Sequence, residues 1–157
     1  MARQIDLVVA DLKDYVRGEV IALGVNVNAN LRDSPPLGTP IDTGWASANW
    51  TPSVGSPADD APTENPRDLG PAQVAAAQLR AQQGINEVLG WDFNNGSIFS
   101  TNAVPYIRRL NEGWSKQSPS GFVAIAVERA VRDTEARAAT RSARNRRAAA
   151  FRSRRGR

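Results

Sequence analysis

The sequence predicts an α+β domain: a small antiparallel sheet packed by long N- and C-terminal helices. Three observations carry this. Apolar residues recur at steps of three and four over the first thirty or so positions, two short runs near 48–54 and 97–101 have strand character beside turn signals, and a run of strong helix formers follows Gly121.

Taken in order, Ile5, Val8, Val9, Leu12, Tyr15, Val16, Val20, Leu23 and Val27 place one apolar stripe on a helix from about Gln4 to Arg32, with Asp6, Asp11, Lys13, Asp14, Arg17 and Glu19 on the other side. Gly18 and Gly24 each cost about 1 kcal/mol relative to Ala in a helix interior, so a bend or fraying is expected near Gly24. The run Ser34-Pro35-Pro36-Leu37-Gly38 ends the helix. Asp42 or Thr43 is expected to cap a short turn of helix through Trp45 and Ala46, after which 48–54 extends as a strand.

Residues 55–71, with four prolines and several carboxylates, have the composition of a solvated, mobile loop. A proline at the first helical position and strong helix formers behind it predict a second helix over 72–88. Asn94-Asn95-Gly96 marks a tight turn, and 97–101 is expected to pair with 48–54. A short helix over 103–111, closed by Gly113, precedes the terminal helix from Phe122 to about Arg147.

At 157 residues the chain fits one domain, assigned here to 1–135, that buries about 70% of its unfolded surface. Zero Cys excludes disulfides, thiol nucleophiles and zinc–thiolate sites, and zero His removes the usual neutral-pH base. No apolar run approaches the roughly 18 residues that span a bilayer, and the first residues lack a signal-peptide layout, so a soluble protein with no membrane partner is expected. The net charge of +4 conceals a division. Residues 1–135 hold 11 basic and 16 acidic side chains, whereas the extension 136–157 holds nine arginines and no acid.

No constellation in the chain calls for an enzyme or a cofactor. Asp42 with Glu112, or Asp59 with Asp60, lacks any spacing that defines an acid–base couple or a cation site; capping and solvation account for them. Ser115, Lys116 and Ser118 sit among turn residues that suit an exposed turn rather than a nucleophile with its oxyanion hole. Trp45, Trp50, Trp91 and Trp114 are read as core or subunit-surface residues, since Trp is enriched in both.

The densest punctuation lies in 39–51 and 97–123. In order come Pro40-Ile41-Asp42-Thr43-Gly44, Asn49-Trp50, Asn102 with Pro105-Tyr106, Leu110-Asn111-Glu112-Gly113, and Gln117-Ser118-Pro119-Ser120-Gly121. This succession resembles the tail-completion (tail-component) family of long-tailed bacteriophages, small structural proteins of the neck and tail top. Trp45 departs from the pattern, because relatives often carry a basic residue after the Thr-Gly pair.

The resemblance implies a non-enzymatic virion protein, assembled in the host cytoplasm, that forms a homo-oligomeric ring, with six copies expected from tail symmetry. The ring would join the tail to the head, let genomic DNA pass, and contact stopper or adaptor, terminator and tail-tube proteins. Trp45, Trp50, Tyr106, Trp114 and Pro119 are the expected subunit-interface residues. Arg141, Arg144, Arg146, Arg147, Arg152, Arg154 and Arg155 are expected to meet DNA in the lumen or a partner protein. The alternative is a small nucleic-acid-binding protein whose globular part presents the basic extension.

Overall fold

A computed structural model of the chain describes residues 2–59 and 71–155, with side-chain surroundings for 4–59 and 75–146. Most of the expected 55–71 loop therefore lies outside the described residues. The elements in order are α1 (Ala2–Arg32), α2 (Trp45–Ala48), β1 (Thr51–Val54), α3 (Pro71–Leu89), β2 (Ile98–Thr101), α4 (Ile107–Arg109) and α5 (Phe122–Arg155). The architecture is α+β. β1 and β2 form a two-stranded antiparallel sheet with Thr51 opposite Thr101 and Val54 opposite Ile98.

α1 and α5 lie antiparallel. Their seam is polar at defined points: Asn26 Nδ2 donates to Thr134 Oγ1 at 3.0 Å while Asn26 Oδ1 accepts from Arg137 at 3.1 Å, and Asn30 Nδ2 donates to the Ala126 carbonyl at 3.2 Å. Asn28, half a turn round, donates instead to the Trp50 carbonyl and to Ser100 Oγ, both at 3.3 Å. Buried amides that find partners only in one alignment fix the offset of α1 against both α5 and the sheet. Between them Ala126 and Ala130, fully buried, let the helix axes approach.

α1 does not fray at Gly24, since it is helical from Ala2 to Arg32. The glycine permits contact instead: a Cβ there would stand 3.1 Å from the Ile98 side chain and 3.3 Å from that of Val88. Gly84 does the same for α3 against β1, since a Cβ on it would lie 1.9 Å from the Pro52 carbonyl oxygen.

Beyond Arg32 the chain turns, with the Thr39 amide donating to the Leu31 carbonyl at 3.1 Å. Gly38 is required in that turn, because a Cβ would meet the Asp33 carbonyl at 2.3 Å. The core has two parts. Leu31, Trp50, Phe122 and Ala126 form one, Trp45, Ala46 and Val104 the other, and Ile107 and Leu110 pack against both.

Several local expectations shift. α2 begins at Trp45 with left-handed Gly44 (φ 82°) as its N-cap and no side-chain cap bond, so Asp42 caps nothing and Thr43 Oγ1 only accepts the Trp45 amide at 3.4 Å. Because α2 runs to Ala48, the strand starts at Thr51 rather than 48. The helix expected over 103–111 reduces to α4 and a π-helical turn, Leu110–Trp114, that Gly113 (φ 92°) closes. α5 continues past Arg147 to Arg155.

The start of α5 is capped from a distance. Asn111 Oδ1 accepts the Val123 amide at 3.0 Å and the Asn111 carbonyl accepts the Gly121 amide at 2.7 Å. A side-chain cap stabilises by about 1 kcal/mol. Asn111→Ala is thus expected to lower unfolding free energy by about that amount in urea titration, while Asn111→Asp, whose carboxylate accepts the same N–H next to a helix N-terminus, retains it.

Candidate interaction site

The motifs that lie far apart in the sequence meet in one joint. Asn102 Nδ2 donates to the Ala46 carbonyl at 2.7 Å and its Oδ1 accepts the Val104 amide at 3.1 Å, which fastens the segment after β2 to α2. Asn49 Nδ2 donates to the Trp45 carbonyl at 2.7 Å. Gln117 Oε1 accepts the Ile41 amide at 2.8 Å and Ser118 Oγ donates to the Gly38 carbonyl at 2.7 Å, so the 115–121 turn is tied to the 38–44 loop at two points. Ser118 is buried, against its expected exposure, because its hydroxyl has a carbonyl to satisfy inside.

Beneath this strapping, Pro40, Asp42, Trp45, Tyr106, Leu110 and Gln117 border a cleft of about 160 Å³. The Trp45 and Tyr106 rings are 5.8 Å apart and tilted by 43°. Burial, helped by the Asp42 carboxylate, raises the Tyr106 phenol above its ordinary pKa. That keeps the hydroxyl protonated and available as a hydrogen-bond donor at the cleft wall.

The five expected interface residues divide sharply. Trp45 (4% exposed) and Trp50 (5%) are enclosed by the fold's own core, and therefore shape the surface from below instead of forming it. The reason for Trp50 is chemical as well as apolar: its indole Nε1 donates to Thr39 Oγ1 at 2.7 Å, and Thr39 in turn donates to the Leu31 carbonyl at 2.6 Å. Arg32 completes this wall by donating to the Ala48 and Trp50 carbonyls at 3.0 and 3.3 Å; burial pulls its pKa below the ordinary guanidinium value.

Tyr106 is half-buried, and Pro119 and Trp114 are exposed, Trp114 by 73%. Arg109 stands over the Trp114 ring at 5.0 Å, an arrangement that holds a large amphipathic face outward beside a positive charge. Trp91, by contrast, is an internal clasp: its Nε1 donates to the Gly96 carbonyl at 2.8 Å, and its own carbonyl accepts from Arg17 at 2.7 Å.

The arginines also divide. Arg137 is held by Asn26, and Arg141 pairs with Glu19 and lies 4.8 Å above the Tyr15 ring, so α1 engages both. Arg144 and Arg146 are exposed. The side chains of Arg147, Arg152, Arg154 and Arg155 lie outside the described residues.

Elsewhere Arg129 bridges Asp33 and Asn30, each at 2.8 Å, and its hydrogen bond holds the Asp33 carboxyl below the usual range. Among the described residues no group of three or more carboxylates is placed to hold a metal ion, and no helix is long and apolar enough to cross a membrane.

The sequence marks Thr39 and Asn111 only as members of the 39–51 and 97–123 runs and gives Asn26, Asn28 and Asn30 no part, although together the five hold the joint and the long helices in place. A signal existed for the three in α1: alternating asparagines are poor helix formers and stand inside an otherwise strong helix. Compared with known protein families, curated proteins and solved structures, the chain matches none.

Proposed function

We propose that the chain is a structural protein of the head–tail junction of a tailed bacteriophage, a tail-completion or neck component that forms a ring, of six copies by tail symmetry, around the passage for DNA. One observation supports it above the others. Four of the residues that carry the family resemblance, Ile41, Asn102, Gln117 and Ser118, cross-tie the 38–49 and 102–121 segments into a joint, beside which Trp114 and Pro119 are exposed. A conformationally fixed patch with an outward Trp suits protein recognition, where rigid aromatics are enriched, more than catalysis.

The test is imaging of purified virions, or of necks reconstituted with portal and tail-tube proteins, at side-chain resolution. A ring of this chain between head and tail is the expected result. Particles that lack it, with the chain remaining monomeric beside portal and tail tube, would reject the reading.

The exposed Arg144 and Arg146 at the margin of the arginine run favour a second reading, nucleic-acid binding. It predicts duplex binding whose affinity falls with salt by a slope of about −0.9 per phosphate neutralised and disappears on deletion of 137–157. The engagement of Arg137 and Arg141 by α1 reduces the charge available for it.

A further inference from the structure

The chain holds a single Asn-Gly pair, Asn95-Gly96, at the exposed turn between α3 and β2, and the head–tail reading gives it no part. An asparagine before glycine is chemically labile in water. The backbone nitrogen of the next residue attacks the side-chain amide carbon to close a five-membered ring, and glycine, without a Cβ, hinders that approach least.

The fold removes the other asparagines from competition. For Asn26, Asn28 and Asn30 in α1, Asn86 in α3 and Asn145 in α5, the N–H of the following residue belongs to a helical hydrogen-bond ladder. Asn49 is buried, and Asn102 and Asn111 have side chains held by hydrogen bonds and larger residues behind them. Asn65 precedes Pro66, whose nitrogen carries no proton. Asn94 is exposed, but the residue behind it, Asn95, carries a Cβ. Asn95 and Gly96 are both exposed, and among the described residues the Gly96 N–H donates to no backbone carbonyl.

We propose that Asn95 is a site of spontaneous deamidation whose rate is set by the clasp at Trp91. The Gly96 nitrogen adds to Asn95 Cγ and loses its proton, the Cγ–Nδ2 bond breaks, and ammonia leaves behind a cyclic imide. Water then opens the ring. Cleavage at Cγ gives aspartate, and cleavage at the main-chain carbonyl carbon of residue 95 gives isoaspartate, which inserts a methylene into the backbone. In the closed turn two hydrogen bonds restrain the reacting atoms: the Asp92 amide donates to Asn95 Oδ1 and Trp91 Nε1 donates to the Gly96 carbonyl, each at 2.8 Å. The attack therefore proceeds when the turn opens, as exposed turns do far more readily than the core. Either product places a new carboxylate beside Asp92, and isoaspartate also lengthens the connection that leads through β2 to Asn102 and the joint.

The test is to incubate the full-length protein in warm, mildly alkaline buffer, with and without unfolding urea, and to map its peptides by mass spectrometry. In the folded chain the peptide that contains Asn95 is expected to exchange its amide for a carboxyl about ten times faster than any other, and to divide into aspartate and isoaspartate forms on chromatography. Urea should accelerate the reaction at Asn95 about tenfold by opening the turn. Trp91→Phe, which keeps a ring but removes the Nε1 donor, should bring the rate in buffer toward that in urea, with near-ultraviolet circular dichroism to verify that the variant is folded.

Another asparagine reacting first, or no reaction at Asn95 in the folded chain over a period in which the urea sample reacts, would overturn the assignment. A rate in urea no greater than in buffer, or a folded Trp91→Phe chain that reacts no faster, would overturn the role of the clasp. Neither outcome depends on the ring reading.

Discussion

Replacing Gly84 by alanine is expected to destabilise the protein by about 3 kcal/mol, against the usual sign for such a change in a helix. In an unobstructed helix interior, Gly→Ala is favourable by about 1 kcal/mol, because alanine narrows the unfolded ensemble and is the best helix former. Here the added Cβ would stand 1.9 Å from the Pro52 carbonyl oxygen, 2.9 Å from its carbon and 3.1 Å from Cδ. None of these atoms is the far end of a flexible side chain. β1 is held on its other side by β2, so relief requires α3 to move away and uncover Ala77, Ala81 and Val88, which it now buries. Equilibrium urea unfolding checks the sign: a neutral or more stable Gly84→Ala would mean that α3 is not seated on β1 as described. Gly18, with no heavy atom within 4 Å of its added Cβ, is the matched control, expected to gain about 1 kcal/mol as alanine.

Trp50→Ala is expected to cost about 4 kcal/mol, within the range for removing a buried Trp. Set beside a total stability of about 5–15 kcal/mol for a domain, this leaves the chain near its folding threshold. Two losses combine. The indole fills the space among Leu31, Phe122 and Ala126, and its N–H donates to Thr39 Oγ1, whose own hydroxyl donates a hydrogen bond to the Leu31 carbonyl. Trp50→Phe separates them by retaining much of the volume and removing the donor; the relay alone is worth about 1 kcal/mol, so Phe should recover most of the loss only if packing dominates. Trp114→Ala, at an exposed site, should change stability by no more than about 0.5 kcal/mol. Denaturation followed by circular dichroism distinguishes these outcomes. Comparable effects at Trp50 and Trp114 would contradict the division between an enclosed and a projecting tryptophan.

Those two residues show where sequence reasoning stops. Both are Trp near turn-forming residues, and nothing local tells the enclosed one from the exposed one. Their fates depend on what arrives from elsewhere: Leu31 and Phe122 close over Trp50, whereas the Gly113 turn swings Trp114 outward beside Arg109. Of the five expected interface residues, Pro119 and Trp114 are exposed, Tyr106 is half-buried against Trp45, and Trp45 and Trp50 are enclosed by the core.

The glycines teach the same lesson from the backbone. Gly113 and Gly121, each at positive φ, act at turns the sequence already marked, while Gly24 and Gly84 read as mere helix weakeners until the facing element is known.

What the amino-acid order determined by itself is the local plan: two long helices from their periodicity and composition, a paired strand from each of two short runs, and turns at Gly and Pro. These are decided within a few residues by backbone sterics and the spacing of apolar side chains. The tertiary structure alone decided which face of each helix is covered, why asparagines occupy the middle of α1, and how a distant Asn caps α5. Each of those rests on partners separated by up to a hundred positions or more, whose encounter is fixed by topology and burial rather than by any neighbouring residue.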